Sequence, residues 1–321
     1  MTDSRDKHWF DQRLEDLARL TRAGRFDEAH GLADMLEAAP GEGAPGPMGP
    51  PTLAGLPRRL HAARLHLARA EGREVEKLGW QAMQGPALDA LLPMASFTAE
   101  ERRQAATMAT RPVPRILHQI WIGHLPPPPS LAAWRDWCGR HGREHLLWDE
   151  AALEAIGAAD HPAYRRMLAA GDLPGAVDVA RYLVLEAKGG IYLDADFFPA
   201  QGGCDFDAYL PPLGLSALVE DTPRITGRGS VLLTNALIST PAGHPALGAL
   251  LRTLPSALDA LPRAPAWWVT GPLIFTLFAR LGPVGIAAHD ILAGRLPRGA
   301  DAAELERFRT GPGLLIDWKS W

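Results

Sequence analysis

The sequence predicts an α/β domain preceded by an all-helical N-terminal region. Three observations lead there. Strand-like and helix-like segments alternate from residue 113 onward, helical periodicity alone fills residues 1–112, and a Pro/Gly-rich linker at 40–51 interrupts that helical part. The domains are therefore set at 1–112 and 113–321. With 321 residues and 47% hydrophobic side chains, the chain has enough apolar surface for a sizeable core. Lys and Arg number 33 against 37 Asp and Glu, so no basic surplus suggests nucleic acid as a partner. Two cysteines, Cys138 and Cys204, are too few for a disulfide framework and suit a reducing compartment. The charged start MTDSRDKHWFDQRLED lacks a signal-peptide pattern, and the run WWVTGPLIFTLFA is too short to span a bilayer. The expectation is a cytoplasmic protein, with contact at a membrane periphery left open.

In the N-terminal region, Leu14, Leu17 and Leu20 recur at helical spacing before Gly24, and Phe26, Ala29, Leu32, Ala33 and Leu36 continue after it. The segment LPRRLHAARLHLARAEGREVEKLGWQAM repeats the scheme around Gly72. The two Gly-Arg turns lie 48 residues apart, or 36 without the linker. That is near the tetratricopeptide period of about 34. Two helical hairpins of that kind and a plain helical bundle both fit.

From Pro114 the pattern changes. RILHQIWIG reads as a strand, SLAAWRDWCGRHG as a helix, EHLLWDE as a strand, and 149–168 as helical. LPGAVDVARYLVLEAKGG places Pro174 in a first turn and stops at Gly189-Gly190. IYLDADFFP reads as the next strand, and mixed elements follow to residue 321.

The acidic pair in that strand raises the chemical question. Asp194 and Asp196 at i and i+2 share one side of a strand, forming an oxygen-rich site suited to Mg²⁺ or Mn²⁺ with phosphate oxygens. A pair of solvated acids at a strand end is the alternative. Asp178 and Arg181 share a helical face that a short Gly-Gly turn would bring beside the acids. Alone, they read equally as a surface ion pair. Trp121 near the end of the first strand could stack on a base or fill the core, and His118 reads as a packed histidine. The closing LLIDWKSW either packs on the body or covers a ligand.

Taken in order, RILHQIWIG, DVARYLVLEAKGGIYLDADFF, TNALISTPAGHP, VTGP and DWKSW resemble the DXD glycosyltransferases of family 32. That family includes yeast-type initiating α-mannosyltransferases and bacterial capsule and lipopolysaccharide sugar transferases, and the set is also similar to the catalytic domain of large clostridial glucosylating toxins. The resemblance covers residues 113–321. It implies a GT-A, Rossmann-like fold with a nucleotide-sugar at the carboxyl ends of the strands. It implies that Trp121 stacks on the base with Ile120 beside it, and that Asp178 and Arg181 hold donor-sugar hydroxyls and a phosphate-side oxygen. Asp194 would contact ribose and sugar, Asp196 would bind Mn²⁺ or Mg²⁺, and Asn235 would line the sugar pocket. Ser320 and Trp321 would close over the diphosphate. Family members often carry a histidine near that Ser-Trp; here Asp317 is the nearest candidate metal ligand, beside Asp194 and Asp196. The implied reaction is metal-dependent, retaining transfer from a nucleoside diphosphate sugar, UDP-linked by the Trp121 analogy. The acceptor would be a glycan, a lipid-linked group or a protein, and the helical region is a candidate for a protein partner.

Two other readings remain. A haloacid-dehalogenase-type phosphohydrolase also places D-x-D after an apolar strand, with Thr or Val two places on where Phe198 stands here. A non-catalytic helical-repeat scaffold would not need both acids.

Overall fold

A computed structural model describes residues 7–39, 46–201, 204–219, 232–297 and 299–320. The chain divides into two compact units. Among the described residues, one comprises 7–39, 46–93 and 256–268, and the other comprises the rest.

The first unit is built on helices α1 (Lys7–Arg22), α2 (Phe26–Ala38), α3 (Arg58–Glu71) and α4 (Glu74–Ala82). They form two hairpins turning at Gly24 and Gly72, both left-handed with φ of 69° and 75°. Glycine tolerates that backbone, so the helix stops fall where the sequence placed them. The apolar stripes of α1, α2 and α3 meet in one core containing Phe10, Leu17, Ala33, Leu36, Leu60 and Leu67. Of the linker, residues 40–45 lie outside the described residues.

The second unit carries the alternating pattern. Its elements start with α5 (Ala99–Met108), β1 (Ile116–Ile120), α6 (Pro129–His141), β2 (Glu144–Trp148), α7 (Glu150–Ala155), α8 (Pro162–Ala169) and α9 (Leu173–Lys188). Next come β3 (Gly190–Leu193), β4 (Phe197–Pro199), β5 (Ser216–Val219), β6 (Leu233–Thr240), α10 (Pro245–Ala260), α11 (Ala266–Val269) and α12 (Pro272–Ala279), of which residues 256–268 of α10 and α11 count with the first unit. The chain closes with β7 (Gly285–Ile286), β8 (Leu292–Arg295), α13 (Ala302–Arg309) and β9 (Leu315–Asp317). The helix expected over 149–168 is two, because Gly157 turns left-handed between α7 and α8. The long apolar run is likewise cut at Gly271, between α11 and α12. No described helix is long and apolar enough to cross a membrane.

The strands form a six-stranded sheet of order β2-β1-β3-β6-β5-β7 and a three-stranded sheet of order β4-β9-β8. In the large sheet β1 runs parallel to β2 and β3, whereas β6 is antiparallel to both β3 and β5. The fold is thus mixed α/β. Leu117, Ile191, Leu193 and Leu237 of the large sheet pack with Trp134 and Trp137 of α6 and with Phe197 and Leu315 of the small one.

One sequence expectation needs correction. IYLDADFFP is not a single strand. β3 ends at Leu193, Asp194 to Asp196 make a turn, and β4 begins at Phe197 in the other sheet. Strand alternation therefore does not relate the two acids. They sit where the chain leaves one sheet for the other.

The register of β3 depends on Gly189 and Gly190. Gly189 ends α9 with φ 64°, and a Cβ there would lie 2.5 Å from the Ala242 backbone nitrogen. His118 fixes the same turn from β1. The Trp148 indole N–H donates to its Nδ1 at 3.1 Å, so the proton sits on Nε2, which donates to the Gly189 carbonyl at 2.8 Å. Burial holds His118 down to about 4. His118 is a packed histidine, as the sequence suggested.

Two outcomes follow for stability. Gly189→Ala should lose more than about 2 kcal/mol in urea unfolding, since the clash is with backbone. A group whose folded pKa is depressed below 6.5 contributes stability above 6.5 that fades as pH falls toward 4. The stability gap between wild type and His118→Gln should accordingly shrink by about 2–3 kcal/mol between neutral pH and the acid end of that window. A gap independent of pH would contradict the buried neutral imidazole.

Candidate active site

The D-x-D turn follows the carboxyl end of β3, at the sheet edge where the parallel strands β1 and β2 also end. Helix α9 supplies the side chains that meet it. Asp172 caps α9 by accepting from the Gly175 amide at 2.9 Å, with Pro174 in its first turn. Asp178 and Arg181 then lie one turn apart on its buried face.

Arg181 is the centre of the arrangement. Its Nη2 lies 3.0 Å from Asp178 Oδ1, and its Nη1 lies 3.0 Å from Asp194 Oδ1. Nη1 also donates to the Asn235 carbonyl at 2.7 Å, and the guanidinium carbon stands 4.5 Å from the Tyr192 ring centroid. Arg181 is 4% exposed and Asp178 7%, so both charges are withdrawn from water. The surrounding carboxylates Asp194 and Asp178, with Tyr192, keep the guanidinium firmly protonated against that burial.

Asp178 is satisfied from three sides. Asn235 Nδ2 donates to its Oδ1 at 2.7 Å and Thr270 Oγ1 to its Oδ2 at 2.9 Å, beside the Arg181 pair. Asn235 Nδ2 also reaches Tyr182 Oη at 3.0 Å, and the Tyr182 hydroxyl donates to the Thr270 carbonyl at 2.7 Å. Burial still raises the Asp178 carboxyl to about 6 against these donors.

Asp194 joins this network to solvent. Its Oδ1 accepts from Tyr192 Oη at 2.7 Å as well as from Arg181, while its side chain remains 27% exposed. Asp196, two residues on, has no hydrogen-bonding side-chain partner among the described residues. Burial, then the carboxylates of Asp194 and Asp317, push it up to about 7, with Lys319 acting in the opposite direction.

The backbone of the turn is held at nearly every link. Asp194 N donates to the Ala236 carbonyl at 2.9 Å, Phe197 N to Asp194 O at 3.3 Å, and Trp318 N to Asp196 O at 2.7 Å. Ser130 Oγ donates to the Ala195 carbonyl, and Trp134 Nε1 to that of Phe197 at 2.9 Å. Two acids are thereby fixed close together, only Asp194 of them in an ion pair with Arg181, and a hard divalent cation suits such a donor pair. Among the described residues no three of His, Cys, Asp and Glu are grouped to hold a metal unaided, so the remaining ligands would come from substrate or water.

The other sequence candidates fall as follows. His118 pairs with Tyr192 in the sheet, so Ile120 at the end of β1 stands level with Asp194. Trp121 follows, half-buried, its amide donating to the Trp148 carbonyl at 3.0 Å and its indole to Leu125 O at 3.0 Å. Ser320 is half-buried two residues beyond the Trp318 link to Asp196. Trp321 lies outside the described residues. Asp317 accepts from Arg295 Nε at 2.7 Å, so its carboxylate already has a cation. Thr270, Tyr182, Tyr192 and Ser130 were not predicted from sequence. Thr270 and Tyr192 lie within motifs that were, VTGP and GGIYLDAD, whereas nothing local marks Ser130.

Residues 152–205 match the family described as the glycosyltransferase sugar-binding region containing a DXD motif. The chain is 29% identical over 171 residues to inositol phosphoceramide mannosyltransferase 3 of Schizosaccharomyces pombe, covering 51% of this chain and 44% of that protein. It therefore spans under half the length of that curated relative. Among solved structures, the PaToxG glycosyltransferase matches with a TM-score of 0.43 and 18% identity, over 60% of this chain and 76% of that one. Asp178, Arg181, Asp194 and Asp196 all fall inside the segment that matches this glycosyltransferase region.

Removing Arg181 would leave Asp178 and Asp194 facing each other without a cation. Arg181→Ala should lose about 3–5 kcal/mol of unfolding free energy, and Asn235→Ala about 1–3. Arg181→Lys should recover only part, because an ammonium lacks the fork that spans Asp178, Asp194 and the Asn235 carbonyl. Unchanged urea midpoints would show that these contacts do not hold the site.

Proposed function

We propose that this chain is a metal-dependent, retaining glycosyltransferase that moves a sugar from a nucleoside diphosphate to an acceptor hydroxyl. One observation carries the reading. The D-x-D turn is fixed through its backbone at the carboxyl ends of parallel strands and tied to a buried Arg–Asp–Asn network, inside the segment that matches the glycosyltransferase region. That is where open α/β sheets take nucleotides.

In this reading Asp196 and the outward side of Asp194 hold Mn²⁺ or Mg²⁺. When bound, the ion supplies Lewis-acid stabilisation to a leaving diphosphate. The chain's own residues position the reactants. Tyr192 and Arg181 restrain Asp194 from one oxygen, which leaves its other oxygen toward the mouth. Asp178 and Asn235 offer hydroxyl-binding groups for the sugar, and their mutual bonds keep them in place before a donor arrives. Both Asp178 oxygens already accept hydrogen bonds, which makes it a poor covalent nucleophile and favours attack on the same face as the departing diphosphate. Trp121 would stack on the base beside Ile120, and Ser320 with Trp321 would exclude water above the diphosphate.

UDP donors are favoured through Trp121, and the relative named as a mannosyltransferase adds mannose to the candidate sugars. The acceptor is a glycan, a lipid-linked group or a protein. That relative is named for inositol phosphoceramide, which supports the lipid class. The helical unit would recruit a partner or acceptor, acting in the cytoplasm or at a membrane surface.

A bound donor stabilises the fold by mass action. With MnCl₂ present, wild type should show a rise in melting temperature with UDP-sugars or GDP-mannose. Asp196→Asn should lose that rise and the sugar-transfer activity while melting no lower than wild type without ligand. Normal turnover in Asp196→Asn would sink the assignment.

A further inference from the structure

The two acids of the turn are held by different means. Asp194 is fixed through its side chain, by Tyr192 Oη at 2.7 Å and Arg181 Nη1 at 3.0 Å. Asp196 has no side-chain partner of that kind among the described residues, so the backbone on either side of its Cα sets where its carboxylate points. Two peptide planes flank that Cα, and a chain has only two soft dihedrals between them. The plane before it carries the Ala195 carbonyl, which accepts from Ser130 Oγ. The plane after it carries the Asp196 carbonyl, which accepts from Trp318 N at 2.7 Å. With both planes held, the Cα–Cβ bond of Asp196 keeps one direction.

The hold on the first plane comes from α6. Ser130 lies in the first turn of that helix, and Trp134 follows one turn on, along the same face. Trp134 Nε1 donates to the Phe197 carbonyl at 2.9 Å, so the helix grips the carbonyls before and after that of Asp196. Both donors are themselves packed in place. Ser130 is 2% exposed and Trp134 fully buried, its indole stacked on Phe206 at 5.5 Å and edge-on to Trp137 at 5.2 Å. A serine near a helix start commonly bonds within its own helix. Here the hydroxyl reaches 65 residues along the chain to the peptide between the two acids. Ala195 is buried as well, so a carbonyl that lost this donor would have to turn to find another.

We propose that Ser130 is a positioning residue for the divalent cation, its hydroxyl fixing the peptide that aims the Asp196 carboxylate. The assignment rests on the metal-dependent reading above. It places part of the metal site's support in α6, outside the segment that matches the glycosyltransferase region.

The test titrates MnCl₂ into the full chain and reads free Mn²⁺ by electron paramagnetic resonance, alone and with UDP or GDP against protein-free blanks. Ser130→Ala should bind manganese roughly tenfold more weakly than wild type. Ser130→Thr keeps the hydroxyl and should stay within about threefold of wild type. Trp134→Phe removes the neighbouring indole donor, should weaken manganese binding by a smaller factor, and carries the test if the alanine variant does not fold. A hydroxyl that served only the fold would lower the melting temperature and leave manganese affinity alone. Unchanged affinity in Ser130→Ala and Trp134→Phe, or a loss in Ser130→Thr as large as in Ser130→Ala, would therefore overturn the assignment. Wild type that binds no manganese under any of the three conditions would overturn the metal-dependent reading itself, and Ser130 with it.

Discussion

The structure turns on a guanidinium buried among carboxylates. Arg181 is enclosed by Asp178, Asp194, the Asn235 carbonyl and the Tyr192 ring, and each of these belongs to a different part of the site. Desolvating a charge is expensive, and the expense is offset only when good geometry satisfies it. That requirement constrains α9, the end of β3 and β6 together. Helix α9 must stop at Gly189 for β3 to start in register, and β6 must place Asn235 against both Asp178 and Tyr182. Shifting any one element would strand a charge.

The acidic turn inherits its position from that hub. Because β3 belongs to the large sheet and β4 to the small one, the turn is also a crossing point between sheets. Its backbone is bonded to β6, to α6 and to the segment after β9. Such fixation suits electrostatic catalysis, in which the groups must be in place before charge develops. It also explains why Asp196 can stay beside Asp194 and Asp317 despite their mutual repulsion.

Much of this was legible in the sequence because it rests on local signals. Gly24, Gly72 and the Gly189-Gly190 stop mark real helix ends, and the i, i+3 spacing of Asp178 and Arg181 does put them on one buried face. The D-x-D geometry was misread. Apolar Phe197 and Phe198 made the segment look like one strand, but periodicity cannot tell a continuous strand from two that join different sheets. Thr270 and Ser130 were hidden for a related reason. Their roles come from contacts across long stretches of chain, such as Ser130 to Ala195, which no local pattern encodes.

The central claim is that this hub presents the D-x-D turn to a nucleotide-sugar. The most direct measurement incubates the full chain with UDP-glucose, UDP-galactose, UDP-N-acetylhexosamines and GDP-mannose, in MnCl₂ and in EDTA, and follows release or transfer of the sugar. The account predicts that at least one donor is consumed with manganese and spared with EDTA. Intact nucleotide-sugars in both conditions, alongside phosphate release from a simple phosphoester, would contradict it.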